Sequence, residues 1–463
     1  MSTVGSHERP VRVAVVGAGP AGFFAADALL RKEAPTFKVD VFERLPTPFG
    51  LVRSGVAPDH QKIKGVTRTF EKTAQHGRFR FMGNVNIGKD LTADELAAHY
   101  DMVVYAVGSS TDRRLGIPGE HLAGSHAATA FVGWYNAHPD FNDFKFDLNV
   151  ERAVVVGVGN VAVDVARVLL RDRDELAKTD IAGAALDALR ASSIREVVLV
   201  ARRGAAQAAF TPAELEDLIA LPSLSVRIDP AQLELDDAQL RLLDTAGRRN
   251  LELMRSVASN PRQAARTLRF EFLAAPTELV DDGIGRVCGI RLERNELTSA
   301  DGSKARGTGQ FFELATGLVF RSIGYFGSPL PGVPFDPKAG IIPNVEGRVT
   351  KTPQGELLPN TYAVGWIRRS PTGVIGTNKA DAQGVVDLMV EDVATLPGRV
   401  LTEIDALLAQ RGVVVTSFTE WSRLDELEVA AGKDKGKVRE KFSRVEEMMN
   451  ELLRKKLASS NNK

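Results

Sequence analysis

Cysteine is all but missing from this chain: Cys288 stands alone among 463 residues. A single thiol closes no internal disulfide, ligates no iron–sulfur cluster by itself and supplies no Cys-x-x-Cys pair, so disulfide-stapled folds and dithiol redox chemistry are excluded. Net charge is missing as well, with 59 basic side chains against 59 acidic ones. Such a balance offers no general attraction to nucleic acid or to an anionic membrane, and neither is expected as a partner. Long apolar runs are lacking too. The nearest approach, residues 13–30 with Asp27 as the one charge, is broken by Gly19-Pro20. That pair suits a strand, a tight turn and a new helix rather than a membrane span. Residues 1–10 are polar and include Glu8, with neither the apolar stretch of a signal peptide nor the arginines of a transit peptide. The cytoplasm is the expected location.

Against these absences stand 44% apolar and 25% charged residues, the composition of a globular protein. At about 100 to 200 residues per domain, the length predicts two or three domains. Two segments share one pattern. Residues 11–16 are followed by Gly17-Ala18-Gly19-Pro20-Ala21-Gly22 and an apolar helical pattern to Leu30; residues 153–156 are followed by Gly157-Val158-Gly159-Asn160-Val161-Ala162 and a similar pattern to Leu170. Each reads as a buried parallel strand, a glycine turn and a helix, the opening of a dinucleotide-binding βαβ unit. Two such units imply two nucleotides.

The chemistry of each unit follows from what a pyrophosphate needs: backbone N–H groups without side chains in the way, at the positive end of a helix. Gly17, Gly19 and Gly22 permit the sharp turn, the close approach and the helix–strand packing. The next strand of the first unit ends in Glu43, about 20 residues on, where a carboxylate can bind ribose hydroxyls. The second unit closes with Ala162, and its next strand, residues 196–200, runs into Arg202-Arg203-Gly204. Two guanidiniums in place of a carboxylate match a 2′-phosphate, which points to NADPH. Three further apolar runs, 103–108, 318–324 and 362–365, end at glycines and read as strands reaching a nucleotide crevice. The fold class is therefore α/β, two Rossmann-like domains with one inserted into the other: residues 1–110 and 326–463 for the first, 111–325 for the second. Residues 225–269 read as charged, exposed helix. The tail from Gly432, with six lysines before Asn461, reads as a solvated surface segment.

In this order the motifs closely resemble the adrenodoxin reductase family, which includes bacterial NADPH–ferredoxin reductases, over nearly the whole chain. The most specific stretches are Pro48-Phe49-Gly50-Leu51-Val52-Arg53, Gly55-Val56-Ala57-Pro58-Asp59-His60, Asp164-Val165-Ala166-Arg167 and Gly365-Trp366 with Pro371-Thr372-Gly373-Val374-Ile375. Ala205-Ala206 departs from the pattern, a proline being more usual there. The resemblance implies an FAD flavoenzyme that takes a hydride from NADPH and passes it to a ferredoxin as two one-electron transfers. By the same resemblance Gly17, Gly19, Pro20, Ala21, Gly22, Glu43, Leu51 and Ile87 serve FAD. Trp366, Gly373, Val374 and Ile375 lie beside its ring, with Thr372-Gly373 opening a helix toward it. Val158, Gly159, Asn160 and Val161 hold the NADPH pyrophosphate. Arg202, Arg203 and Glu214 sit at its 2′-phosphate end, Glu214 orienting an arginine. His60 and Asp164 are the catalytic candidates, for proton handling or for positioning of the rings, and no metal is called for. A helical aspartate in an apolar run is costly unless it caps, pairs or lines a cavity. Because ferredoxins are typically acidic, a neutral reductase needs a local basic surface; Arg248, Arg249 and Arg255 supply the candidate. A flavin disulfide reductase shares the two-nucleotide plan but needs a dithiol. An NADPH oxidase or quinone reductase, and a non-catalytic nucleotide sensor, are separated from the main reading by turnover assays.

Overall fold

The computed structural model describes residues 3–299 and 301–460, residue 238 and residues 455–460 by backbone alone. Val11–Val16 is buried at every position, so it has no polar face for water and fits only the middle of a sheet covered on both sides. It pairs in parallel with Phe37–Glu43 and with Met102–Tyr105. Phe79–Gly83 extends the sheet beyond Phe37–Glu43, while Leu357–Ala363 extends it in parallel beyond Met102–Tyr105. Arg348–Thr350 and Asn344–Val345 complete the far edge antiparallel. Helices Pro20–Leu30 and Thr377–Asp392 pack their apolar faces on one side of this sheet.

A second sheet of six parallel strands runs, in spatial order, Ser125–Ala127, Leu318–Arg321, Arg152–Val156, Glu196–Val200, Arg266–Glu271 and Leu224–Arg227. Its two faces follow the two-residue period of a strand. Ala153, Val155, Val197 and Leu199 face helices, including Asn160–Leu170. Val154, Val156, Val198 and Val200 instead pack on Leu279, Ile290, Leu292 and Leu314, from an antiparallel sheet of Ala274–Asp281, Val287–Leu297 and Ala305–Ala315. The two parallel sheets are the two Rossmann-like domains. Where the chain passes between them, Thr111–Asp112 and Tyr325–Phe326 pair as a short antiparallel ribbon.

Two expectations need correction. Residues 225–269 do contain an exposed-faced helix, Thr245–Ser259, but their ends are the buried-sheet strands Leu224–Arg227 and Arg266–Glu271. Polar residues at alternate positions, Thr267, Arg269 and Glu271 in the second of these strands, mask the Leu268 and Phe270 that the sheet buries. The lysine-rich tail is not a solvated segment. Phe418–Asp434 and Val445–Ser460 are helices whose Trp421, Leu424, Met448 and Leu452 join the core around Val11 and Val13. Between them Lys437 and Lys441 are buried. Lys441 finds its counter-charge in Asp180, more than two hundred residues away, and Lys437 donates to the neighbouring Ile181 carbonyl, neither of which a local pattern reveals. Lys455 and Lys456 fall among the residues described by backbone only. Among the described residues no helix is long and apolar enough to cross a membrane.

Candidate active site

Two glycine turns set the ends of the site. At Gly17 φ is +109°, and a Cβ there would stand 2.6 Å from the Ala106 carbonyl oxygen. At Gly22 it would stand 2.0 Å from the Gly17 carbonyl oxygen, so the helix can approach the strand only without a side chain. Gly19 differs: a Cβ there would meet nothing within 4 Å, because this backbone faces open space. The second turn repeats the arrangement with Gly157 at φ +132° against the Ser322 carbonyl and Gly159 open. Neither Gly19 nor Gly159, the residues preceding the two helices, offers a side-chain cap, which leaves the first helical N–H groups for a ligand.

Both turns open on one cavity of about 1890 Å³. Its wall includes Gly17, Gly19, Pro20, Ala21, Glu43, Leu51, His60, Ile87, Val158, Gly159, Asn160, Val161, Asp164, Arg202, Arg203, Glu214, Trp366, Gly373, Val374 and Ile375. Among the catalytic and cofactor candidates drawn from the sequence, Gly22 alone stays behind the wall. Glu43 accepts hydrogen bonds from the Ala18 and Leu45 amides at 3.1 and 3.2 Å. Burial raises its pKa, and the Ala18 amide opposes that rise. Arg202 is exposed and Arg203 half-buried, and neither guanidinium has a partner among the described residues. An unpaired cation pair at a cavity wall is what an incoming phosphate requires. The residues thus fit two dinucleotides: open backbone at Gly19 and Gly159 for pyrophosphates, a carboxylate beside one and free guanidiniums beside the other.

A buried charge cluster stands behind the same cavity, with His60, Asp164 and Glu214 reaching its wall. Arg167, 1% exposed at its side chain, donates from Nε to Asp59 at 2.7 Å, from Nη2 to Asp164 at 2.6 Å and from Nη1 to Glu214 at 3.2 Å. Arg171 adds a second donor to Asp59 at 2.7 Å. His60 Nδ1 lies 3.4 Å from Glu214 Oε1, while its Nε2 is buried without a hydrogen bond. Burial alone would raise the Asp59 carboxyl, but Arg167 and its neighbours outweigh burial and hold it at about 2. Burial, then repulsion from Asp164, pushes Glu214 up to about 7 against the pull of Arg167. Burial raises Asp164 as well, whereas burial and Arg167 together lower His60 and favour its neutral imidazole. The ligand atoms of His60, Asp164 and Glu214 lie within 4.8 Å of one another, yet Arg167 already supplies the cation these carboxylates face. A neutral imidazole beside a carboxyl that titrates near neutrality can hold or release a proton at the cavity wall.

Two site expectations are revised by this geometry. Glu214 does orient an arginine, but the partner is Arg167 rather than Arg202 or Arg203, and Glu214 belongs with His60. No helix opens at Thr372-Gly373; the helix begins at Thr377. Gly373, at φ +78°, turns the chain, and the Thr377 hydroxyl accepts from the Val374 amide at 3.1 Å, so this loop precedes the positive helix end. Trp366 opens the short helix Trp366–Arg369 after Gly365, its ring 5.3 Å from that of Tyr325 and its Nε1 buried without a partner. Sequence reasoning quoted Asp59 and Arg167 without giving them a role. The signal was present in part, since Asp164 and Arg167 are three apart on a predicted helix. Asp59 lies in another domain. Arg248, Arg249 and Arg255 are exposed on Thr245–Ser259, which packs on the helix carrying Glu214, Pro212–Ile219. Arg249 is paired with Glu216 and Glu252, Arg255 donates to the Leu233 carbonyl, and Arg248 only to the Leu243 carbonyl.

A family described as pyridine nucleotide-disulphide oxidoreductase matches residues 11–220. The chain is 47% identical over 459 residues to the NADPH-ferredoxin reductase FprA of Mycobacterium tuberculosis, covering 95% of this chain and 99% of that protein. It is 42% identical over 464 residues to the human NADPH:adrenodoxin oxidoreductase, mitochondrial, covering 96% and 92% respectively. The solved structure of Mycobacterium tuberculosis FprA in complex with NADPH superposes with a TM-score of 0.91 at 47% identity, covering 96% of this chain and all of that one.

Proposed function

The chain belongs to the NADPH–ferredoxin reductases of the adrenodoxin reductase type, and from that membership we propose a division of labour among its residues. It is a flavoprotein oxidoreductase that carries electrons from NADPH through FAD to a ferredoxin. FAD, when bound, supplies the conversion between a two-electron hydride and single electrons. Residues 1–110 with 326–463 form the FAD domain, and residues 111–325 the NADPH domain. The first glycine turn, Glu43, Leu51 and Ile87 hold FAD, with Trp366, Gly373, Val374 and Ile375 against its ring. Val158, Gly159, Asn160 and Val161 hold the NADPH pyrophosphate, and Arg202 and Arg203 clamp its 2′-phosphate. His60, Asp164 and Glu214, fixed by Arg167, position the nicotinamide and hold a proton beside it. The observation that carries this reading is that both open glycine turns and this charge cluster line one cavity. A cytoplasmic location goes with it.

The ferredoxin docks on the basic face of Thr245–Ser259, one helix away from Glu214. Support comes from the exposure of Arg248, Arg249 and Arg255 and from the seven-residue spacing of Arg248 and Arg255, which places them on one helical face. Ferredoxin-dependent cytochrome c reduction is then expected to fall as ionic strength rises beyond about 0.15 M, where screening acts over about 8 Å, with ferricyanide reduction nearly steady. Arg248→Glu with Arg249→Glu reproduces that separation at low salt. Arg248→Glu alone does so without disturbing the Arg249–Glu216 pair. Unchanged ferredoxin kinetics in both variants would move the docking surface elsewhere.

A further inference from the structure

Hydride transfer demands that the reacting atoms approach to about 3–3.5 Å, and a misplacement of about 1 Å can cost about a hundredfold in rate. Here the two atoms belong to cofactors held by different domains, whose covalent connection is the short ribbon of Thr111–Asp112 and Tyr325–Phe326. Domains so joined move relative to each other unless their interface prevents it. Exposed ion pairs cross this interface at Arg44–Asp140 and Arg444–Asp143, His60 meets Glu214 in the cavity, and two further charged contacts are buried. One, Asp59 with Arg167 and Arg171, belongs to the cavity cluster. The other involves no residue that lines the cavity.

This second contact is centred on Asp180, just ahead of the helix Gly183–Arg190 in the NADPH domain. Lys64 of the FAD domain donates to both Asp180 carboxylate oxygens at 2.7 Å, and Lys441 lies 3.1 Å from Oδ2. The Asp180 side chain is 3% exposed and that of Lys441 1%. Lys441 also donates to the Arg53 carbonyl at 3.0 Å and to Asn136 Oδ1 at 3.2 Å. From the same segment Lys437 donates to the Ile181 carbonyl at 2.6 Å, and the Gly183 amide donates to Glu440 at 3.2 Å, capping the NADPH-domain helix from outside. The segment itself is anchored in the FAD domain, because Trp421, Met448 and Leu452 on either side of it sit in the core around Val11. Burial lowers the Lys441 pKa far below the ordinary lysine range, and Asp180 opposes that shift. Buried ion pairs are poor contributors to stability in general, and apolar packing serves as well; what they do enforce is one arrangement, since removal of one partner strands the other charge out of water.

We propose that Asp180, gripped by Lys64 and Lys441, is a positioning residue that seats the NADPH domain on the FAD domain at the closure hydride transfer requires. The proposal rests on the reading of this cavity as the place where NADPH meets FAD, and it adds to it a clamp outside the cofactor sites. Lys437 and Glu440 extend the clamp along the rim. The buried lysines of the C-terminal segment therefore serve the reaction without touching either nucleotide.

The test compares purified holoenzyme with Asp180→Asn, Asp180→Glu and Lys437→Met by anaerobic rapid mixing with NADPH. Rates of flavin bleaching and the long-wavelength absorbance of the stacked nicotinamide–flavin pair are followed, together with FAD content and NADP+ affinity. Asp180→Asn is expected to slow bleaching at saturating NADPH by about ten- to a hundredfold and to weaken the stacking absorbance, with FAD retained and NADP+ affinity within about threefold. Asp180→Glu, which keeps the charge, is expected to recover most of the rate. Lys437→Met removes the rim contact to Ile181 and the pair with Glu440 but leaves Asp180 gripped, and gives the same split in smaller measure, so the proposal stays testable if Asp180→Asn does not fold. Bleaching at the wild-type rate in folded Asp180→Asn or Lys437→Met holoenzyme overturns it, and so does a loss confined to FAD content and NADP+ affinity. A wild-type protein that NADPH does not reduce would instead overturn the functional reading beneath it.

Discussion

The two glycine turns are built from the same parts, and two of the differences between their units, at the third small residue and at the following strand end, have separate physical meanings. In the first turn the third small residue must be glycine, since a Cβ at Gly22 would lie 2.0 Å from the Gly17 carbonyl oxygen. In the second, Ala162 occupies the equivalent place, fully buried, so its helix stands off far enough to admit a methyl group. At the strand ends, Glu43 is held by two backbone amides, whereas the guanidiniums of Arg202 and Arg203 are held by nothing among the described residues. A fixed acceptor suits a cofactor that stays bound. Free guanidiniums suit one that arrives and leaves with each turnover.

The sharpest way to break this comparison is to exchange the third residue. Gly22→Ala should yield protein with little or no bound FAD, because no rotamer relieves a clash between a Cβ and backbone. Ala162→Gly should keep both cofactors and cost about 1 kcal/mol, the helix penalty of glycine relative to alanine. FAD content after gel filtration and thermal midpoints measure both; equal tolerance at the two positions would erase the distinction. Next in size is the strand-end pair. A charge-assisted bond contributes about 1.5–3 kcal/mol, so Arg202→Ala with Arg203→Ala should raise the NADPH Michaelis constant at least about tenfold while leaving NADH nearly unchanged. Equal loss for both coenzymes would assign the pair to structure.

How much of this was legible in the sequence depends on the range of each interaction. The turns, Glu43 and the Arg202-Arg203 pair follow from patterns each confined to one βαβ unit, and they could be read directly. Arg167 was half-legible: its spacing from Asp164 was visible, but Asp59 comes from another domain and Glu214 from a later helix. That Glu214 orients an arginine could accordingly be expected, but not that the arginine is Arg167. Lys437 and Lys441 were read as solvated because lysines usually are, and the Ile181 carbonyl and buried Asp180 that receive them lie far away in the chain. The helix start near Gly373 was misplaced by a few residues because a loop with a positive-φ glycine and a hydroxyl-capped turn has the same residue types as a helix N-terminus.

A smaller effect distinguishes the charge cluster from both turns. Glu214 keeps its proton up to about pH 7 in the folded protein, against 4.5 as the ordinary value. A carboxyl raised in this way contributes nothing below pH 4.5, where it is protonated folded or unfolded, and it lowers stability progressively as pH rises from there to about 7. Asp59, held at about 2, acts in the opposite sense and at lower pH: its contribution is full above the unfolded value of 3.8 and is lost as pH falls through about 2. Glu214→Gln should therefore gain thermal stability relative to the wild type as pH is raised from 4.5 to 7, as seen in paired melting curves. A constant difference across that range would place the Glu214 titration elsewhere.

The central claim is that one turn retains FAD and the other admits NADPH by its phosphate. Anaerobic titration of the purified protein with NADPH and, separately, NADH, followed in the visible spectrum, tests it most directly. The account predicts a yellow protein whose flavin absorbance bleaches at NADPH concentrations near that of the enzyme and only at far higher concentrations of NADH. A colourless protein that takes up no added FAD, or one bleached equally well by both coenzymes, would contradict it.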